Sequence, residues 1–267
     1  MTILQALILG IIQGLTELLP ISSSGHLTII PWLLGWTRSA EFNIAFEGFD
    51  VALHFGTLLA IGIFFFKDWI SLIKGGYNQI IKKQKSTEGR MFWYIVAATI
   101  PGGIIGIILD KFVGDNLKNP LIIGIALIIM GIILYLVDRN SKSEIKYENM
   151  NFKQTFLIGL SQCLAFIPGV SRSGITTTVA RSMKIERESA AKYSFMLSAP
   201  IVLAATILKL KDFVFSIPFF VGIIASFLVG IFVIKFLLDY LKKGSFKVFA
   251  IYRVIFGIII ISCTFIL

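Results

Sequence analysis

The stretch Gln162 to Thr178 reads Q-C-L-A-F-I-P-G-V-S-R-S-G-I-T-T-T, and the fold turns on how it is read. An apolar run is broken by Pro168-Gly169; Ser171-Arg172-Ser173-Gly174 and a row of threonines follow. The flanking sequence is apolar enough to place this segment at membrane depth. An arginine at the centre of a membrane helix costs about 2.5–3.5 kcal/mol on insertion scales, so Arg172 needs an anionic partner or a hydrated cavity. Pro-Gly ends a helix, and the hydroxyls and freed backbone N–H groups beyond it form a ready anion site. A kinked helix with a snorkelling arginine is the plainer reading, but it does not explain why the arrangement occurs twice.

The second copy lies in Gly10 to His26. Gly10, Gln13, Leu15, Ser22, Ser24 and Gly25 match Gly159, Gln162, Leu164, Ser171, Ser173 and Gly174 at one offset of 149 positions, and Pro20 matches Pro168 with a slip of one. This reads as an internal duplication. The copies differ where chemistry would sit: Glu17, Ser23 and His26 in the first face Phe166, Arg172 and Ile175 in the second. One half offers a carboxylate and an imidazole, the other a guanidinium, as expected of a composite site.

Composition agrees with a membrane setting. The 267 residues are 56% hydrophobic and 15% charged, with mean hydropathy +0.86, which places the chain among integral membrane proteins. Its net charge of +10 is that of basic cytoplasmic loops rather than of a nucleic-acid binder. Cys163 and Cys263 sit singly in apolar runs, so neither a disulfide nor a metal knuckle is expected. Residues 1–19 lack Lys and Arg, so no removable signal peptide is expected.

In chain order, a first hairpin is expected over 2–35, broken at Pro20 to Gly25. A polar loop follows at 36–49, then a span over Asp50 to Phe66 that carries Asp50 and His54 on one face. A basic loop is expected at 67–90, spans at Met91 to Leu109 (kinked at Pro101) and Leu121 to Val137, and a short turn at 110–119. The polar segment 138–153 separates the halves. A second hairpin occupies 154–183, and further spans lie near 189–208, 218–237 and 248–266. The loops 67–90, 138–153, 181–192 and 238–247 hold 17 Lys and Arg, against 5 in 36–49, 110–119 and 209–217. The positive-inside rule then puts both termini outside, with the hairpins entering from opposite faces. The expected fold is therefore an all-α integral membrane protein of six transmembrane helices plus two re-entrant helix-loop-helix hairpins. It is built as an inverted repeat of 1–149 and 150–267, with binding near the midplane where the broken helices meet.

Gln13 and Glu17 are four apart and share a helix face, with Glu17 one turn before the Pro20 break. Ser22, Ser23 and Ser24 could serve as helix caps, but three in a row, matched by Ser171 and Ser173, exceed what a cap needs. His26 adjoins them as an acid, base or phosphate donor, while His54 with Asp50 is the weaker histidine candidate. The forked guanidinium of Arg172 suits phosphate oxygens. Gly169 to Gly174 fails as a phosphate loop because Ile175 stands where Lys is required, and Ser173 occupies the second glycine of a nucleophile elbow. A hard metal is open: Glu17, Gln13, serine oxygens and a substrate phosphate could hold Mg²⁺ or Ca²⁺.

Gln13-Gly14-Leu15-Thr16-Glu17, Pro20-Ile21-Ser22-Ser23-Ser24-Gly25-His26 and Pro168-Gly169-Val170-Ser171-Arg172-Ser173-Gly174 resemble the signature motifs of undecaprenyl-diphosphate phosphatases, the bacitracin-resistance membrane proteins. The resemblance runs from Leu7 to the last helix and takes in Phe49-Asp50-Val51-Ala52-Leu53. It implies hydrolysis of undecaprenyl diphosphate to the monophosphate on the outer face of the bacterial cytoplasmic membrane, recycling the lipid carrier for wall polymers, with a divalent cation required. By the same resemblance the E/Q-x-x-x-E motif falls on Gln13 and Glu17, the active-site serine on Ser23, the histidine on His26, and the arginine and following threonine on Arg172 and Thr176. Ser22, Ser24, Ser171 and Ser173 join Gln13 and Thr176 as expected substrate contacts. Many relatives carry Glu at the Gln13 position; the neutral amide here leaves Glu17 as the main metal ligand.

Two mechanisms stay open: attack by Ser23 with Glu17 or His26 as base, or attack by water activated by Glu17 and a metal. The rival function is a polyprenyl-phosphate flippase, since inverted repeats with broken helices are a transporter architecture. Adjacent Glu, Ser and His favour bond cleavage. The expected partners are the lipid diphosphate and the bilayer, not nucleic acid; the oligomeric state is open, a homodimer included.

Overall fold

The structure, a computed structural model, describes residues 1–112 and 119–266. Among them are eleven α-helices and no sheet; one isolated bridge joins Ile145 to Ile185. The helices are α1 (Ile3–Thr16), α2 (Ser23–Leu33), α3 (Ala40–Phe64), α4 (Phe66–Ile81), α5 (Thr87–Phe112), α6 (Pro120–Asn140), α7 (Phe152–Ser161), α8 (Arg172–Ser182), α9 (Arg187–Leu208), α10 (Ile217–Leu241) and α11 (Lys247–Ile266). Six of these, α3, α5, α6, α9, α10 and α11, are long and apolar enough to cross a membrane. At 1.5 Å per residue, a helix of about 20 residues covers the roughly 30 Å hydrocarbon core. The chain is thus an all-α, multi-pass membrane protein.

Two expected boundaries move. The segment expected as a polar loop at 36–49 turns helical at Ala40, where Ser39 caps α3 by accepting from the Phe42 N–H. The expected basic loop at 67–90 contains α4. Leu72 and Gly76 of α4 are buried while Phe66, Ile70, Ile73, Tyr77 and Ile80 form an exposed apolar stripe at helical spacing, so the lysines had concealed an amphipathic helix. Pro101 lies inside α5. The turn expected at 110–119 falls largely outside the described residues.

The short pairs α1–α2 and α7–α8 match one another in detail. Asn151 and Thr2 both open their helices with reciprocal capping boxes, to Gln154 and Gln5. Gly10 and Gly159 mark equivalent close approaches. A β-carbon on Gly10 would lie 2.6 Å from the Gly222 carbonyl oxygen of α10, and one on Gly159 would lie 2.6 Å from Cα of Ala98 in α5. The first pair therefore packs on a helix from the second half, and the second pair on a helix from the first. Helices α3 and α9 cross, and α6 lies along α11 with Gly124 against Gly257. This interlocking brings the turn after α1 against the turn before α8.

Away from those turns, Asp138 at the end of α6 is buried and accepts from Nε of Arg181 and of Arg187, each at 2.8 Å, and from the Phe246 N–H at 3.1 Å. Arg181 is fully buried and also donates to the carbonyls of Ser141, Lys142 and Ile185. This ties the ends of α6, α8, α9 and α11 into one block.

Glycine substitutions test the close approaches. Gly10→Val and Gly159→Val should each destabilise the protein by about 1–3 kcal/mol, the usual cost of overpacking. Gly62→Ala and Gly103→Ala, where a β-carbon meets nothing within 4 Å, should be neutral or stabilising by about 0.5–1 kcal/mol. Thermal melting in detergent reads both, and wild-type melting of the two valine variants would refute the packing.

Candidate active site

Each short pair turns on a strained serine. Ser22 has φ 77° and Ser171 φ 72°, values that non-glycine residues seldom adopt, and each caps the helix it precedes by accepting from the N–H of Gly25 or Gly174. The first residues of α2 and α8 are then Ser23 and Arg172, which occupy equivalent places in the two copies. Sequence expectation put both in the break; the structure makes both the leading residue of a helix. Backbone N–H groups at such a terminus carry partial positive charge.

Glu17 caps the C-terminus of α1 and is buried. Its Oε2 accepts from Ser23 Oγ at 2.5 Å and its Oε1 from Arg172 Nη2 at 2.6 Å. The carboxylate therefore bridges the hydroxyl of one copy and the guanidinium of the other. Arg172 also donates Nη1 to the Ser194 carbonyl of α9 at 3.3 Å, so the fork is held on both arms. Gln13 donates Nε2 to Glu17 at 3.3 Å, and His54 of α3 lies with Nδ1 3.3 Å from Glu17 Oε2 and Nε2 3.5 Å from Asp50 Oδ1.

The structure thus brings together Gln13, Glu17, Ser23 and Arg172, and it adds His54, which outranks its sequence standing. His26 is placed differently. It stacks on Phe256, directs Nδ1 to the Ser22 carbonyl at 2.7 Å and meets the Tyr252 hydroxyl with Nε2 at 2.7 Å. A carbonyl only accepts, so Nδ1 carries a proton, and in the neutral ring Tyr252 donates to Nε2. Ser22 accepts from the Gly169 N–H across the two turns at 3.2 Å, and Ser173 donates to the carbonyls of Glu17 and Leu19 at 3.2 and 3.0 Å. Ser24 Oγ lies 3.4 Å from Ser22 Oγ, and Ser171 Oγ 3.2 Å from Ser173 Oγ. Thr176 donates to the Arg172 carbonyl and meets Ser194 Oγ at 2.8 Å. Most of these hydroxyls hold the turns, and Ser23 is the one seated on the carboxylate.

Among the described residues no three His, Cys, Asp or Glu side chains converge as a metal cluster. Oxygen ligands are nevertheless at hand. Gln13 Oε1 is buried with no hydrogen-bond partner, next to Glu17. Turned over, the same carboxamide would set two oxygens side by side, an arrangement that a hard cation between them would stabilise. Such a cation takes six or more oxygens, the remainder coming from water and phosphate.

Residues 6–259 match the family model described as bacitracin resistance protein BacA. The chain belongs to this family. It is 46% identical to the undecaprenyl-diphosphatase of Pelotomaculum thermopropionicum over 264 residues, covering 98% of this chain and 96% of that one. The undecaprenyl-diphosphatases of Desulforudis audaxviator and Moorella thermoacetica are 42% and 41% identical, each over at least 96% of both chains. Three residues around the candidate site escaped the sequence reading: Ser194, Tyr252, and Arg253, whose guanidinium donates to the Pro20, Gly169 and Val170 carbonyls. For Arg253 a signal existed. The seven loops hold all of the chain's 25 Lys and Arg except Arg172, Lys235 and Arg253, and a basic residue inside a span marks a functional candidate.

The bridged geometry makes a sharp demand on Arg172. Arg172→Lys keeps the charge but loses the fork that engages Glu17 and Ser194 together. Turnover of a polyprenyl diphosphate should fall at least about tenfold, the equivalent of 1.4 kcal/mol. Wild-type kcat in this variant would reduce Arg172 to a remote charge.

Proposed function

We infer that the protein hydrolyses undecaprenyl diphosphate to undecaprenyl phosphate and inorganic phosphate, recycling the lipid carrier of wall synthesis and so conferring bacitracin resistance. The observation that carries the mechanism is the 2.5 Å hydrogen bond from Ser23 to a Glu17 carboxylate whose other oxygen is fixed by Arg172. A nucleophile seated on its base, with the base itself oriented, is the arrangement that activates a hydroxyl.

In the proposed reaction Ser23 Oγ attacks the terminal phosphorus as its proton passes to Glu17. The bond to the bridging oxygen breaks, and the lipid monophosphate leaves with that electron pair. Glu17 passes the serine proton to the departing lipid monophosphate. Water then attacks the phosphoserine as Glu17 takes its proton, the Ser23 Oγ–P bond breaks, and Glu17 returns the proton to Ser23 as phosphate leaves. The guanidinium of Arg172 and the N–H groups opening α2 and α8 face the charge that builds on the transferring group. His26, one turn along α2 from Ser23, has Nδ1 on the Ser22 carbonyl and Nε2 on Tyr252 and so steadies the first turn, while Gln13, Ser22, Ser24, Ser171, Ser173 and Thr176 line or hold the turns around the phosphates. Glu17 with Gln13 would hold Mg²⁺ or Ca²⁺, which when bound neutralises charge on the diphosphate.

For topology we propose an inverted repeat, 1–149 against 150–267, with the short pairs re-entrant from opposite faces. Their matching caps, strained serines and close-approach glycines support this, as does the exchange of packing partners between halves. The site then opens to the outer face of the cytoplasmic membrane. Its partners are the polyprenyl diphosphate and the bilayer, and the exposed apolar faces leave room for a second copy in a homodimer. A flippase needs only affinity for phosphate; the seated serine favours cleavage.

Protein in detergent, with nothing to transport across, should release phosphate from a polyprenyl diphosphate. EDTA should stop the release, and Mg²⁺ or Ca²⁺ should restore it. Glu17→Gln should abolish it at nearly unchanged volume. Ser23→Ala should leave no turnover by the serine route, whereas substantial residual turnover would favour metal-activated water. No release by the wild type, together with movement of the lipid across liposomes, would overturn the hydrolase reading. For orientation, a single cysteine at Ser216 should label from outside cells and one at Ser86 only after permeabilisation; equal labelling would defeat the inverted arrangement.

A further inference from the structure

Arg253 lies in the second turn of α11, far in sequence from either turn of the short pairs, and is fully buried. Its guanidinium reaches four carbonyls: Nη1 donates to Pro20 at 3.1 Å, Nη2 to Gly169 at 2.8 Å and Val170 at 2.9 Å, and Nε to Leu127 of α6 at 3.4 Å. Pro20 belongs to the first turn, Gly169 and Val170 to the second. One side chain therefore grips both turns. It also abuts the first turn of α8, where a β-carbon on Gly174 would lie 2.5 Å from Nη1. Among the described residues no carboxylate pairs with it, in contrast to Arg172, Arg181 and Arg187.

Burying a guanidinium without a counter-ion is costly, and a lipid-embedded span offers it no water. Carbonyl dipoles offset part of that cost and leave the positive charge uncancelled, beside the place where an anionic group is to bind. The grip also sets direction. In a trans peptide the C=O and the following N–H point opposite ways, so drawing the Val170 carbonyl to Arg253 turns the Ser171 N–H away from it. That amide, just ahead of α8, has no hydrogen-bond partner among the described residues.

We propose that Arg253 is a positioning residue for phosphoryl transfer. It clamps the two turns by their carbonyls, so that the N-termini of α2 and α8 and the pair Ser23–Glu17 stand in register with Arg172, and it contributes an unpaired positive charge to the same pocket. The proposal rests on the hydrolase site described above. It predicts that charge alone is insufficient, because lysine cannot reach carbonyls of both turns with a rigid fork.

The test compares Arg253→Lys and Arg253→Gln with wild type, using phosphate release from a polyprenyl diphosphate across substrate concentration. Each rate is normalised to protein shown folded at the assay temperature by helix content and melting. Both variants should lose at least thirtyfold in kcat, with KM changed less than threefold in Arg253→Lys, where the charge remains, and raised in Arg253→Gln. A purely structural role would lower the folded fraction or the melting temperature and leave kcat per folded molecule intact. Wild-type kcat in Arg253→Lys overturns the clamp, and it does so equally if Arg253→Gln does not fold. Glu17→Gln run alongside separates the failures. If it is inactive while Arg253→Lys is fully active, the site stands and only the clamp falls; if it too is active, the site itself is misassigned.

Discussion

Glu17 and Arg172 are charges that a bilayer would reject singly, and the fold satisfies each with the other. Their contact at 2.6 Å joins the first copy of the motif to the second. Removing one partner of a buried pair typically costs about 3–5 kcal/mol, because the remaining charge is left uncompensated. That cost makes the pair a constraint on everything around it. The turns must meet, the two short helices must start at the meeting point, and the flanking spans must leave room for both. The same pair leaves Glu17 one oxygen for the Ser23 hydroxyl, so the interaction that makes the charges tolerable also seats the hydroxyl proposed above as nucleophile.

The inverted repeat proposed above would account for an asymmetric site on a near-symmetric frame. The frame residues share identities: glycines at the tight approaches, serines at the two caps, glutamines about two turns before each proline. The glutamines show how function entered. Gln162 donates to the Ala98 carbonyl of α5 and braces that helix. Gln13, its counterpart, faces Glu17 and His54. Chemistry arose where one copy acquired a carboxylate and the other a guanidinium at neighbouring, not equivalent, positions.

Much of this was legible from residues alone because the signals were local or repeated. Span lengths follow from runs of apolar residues, and the need of Arg172 for an anionic partner or a hydrated cavity follows from the cost of burying it alone. What escaped was carried by tertiary direction. His26 and His54 look alike as letters, yet α2 aims the first at Tyr252 while α3 brings the second to Glu17. Helix α4 was hidden because its lysines dominate a simple charge count, though its apolar residues keep a helical period. Ser194 contributes a backbone carbonyl to Arg172, a service that no side-chain motif announces. Arg253 had no repeated neighbour to flag it, only the absence of a loop to explain its charge.

The order in which the chain is made gives the paired charges a further meaning. Glu17 and Asp138 belong to the half synthesised first, and Arg172, Arg181 and Arg187 to the half synthesised last. Glu17 precedes its arginine by 155 residues, which at ribosomal speeds is roughly ten to thirty seconds of elongation. Throughout that interval the Glu17 and Asp138 carboxylates lack the arginines they pair with in the finished fold. The late arginines complete both contacts, with Glu17 at the meeting of the turns and with Asp138 at the helix ends. A chain that stops before Arg172 would keep Glu17 without the cation it pairs with in the complete fold.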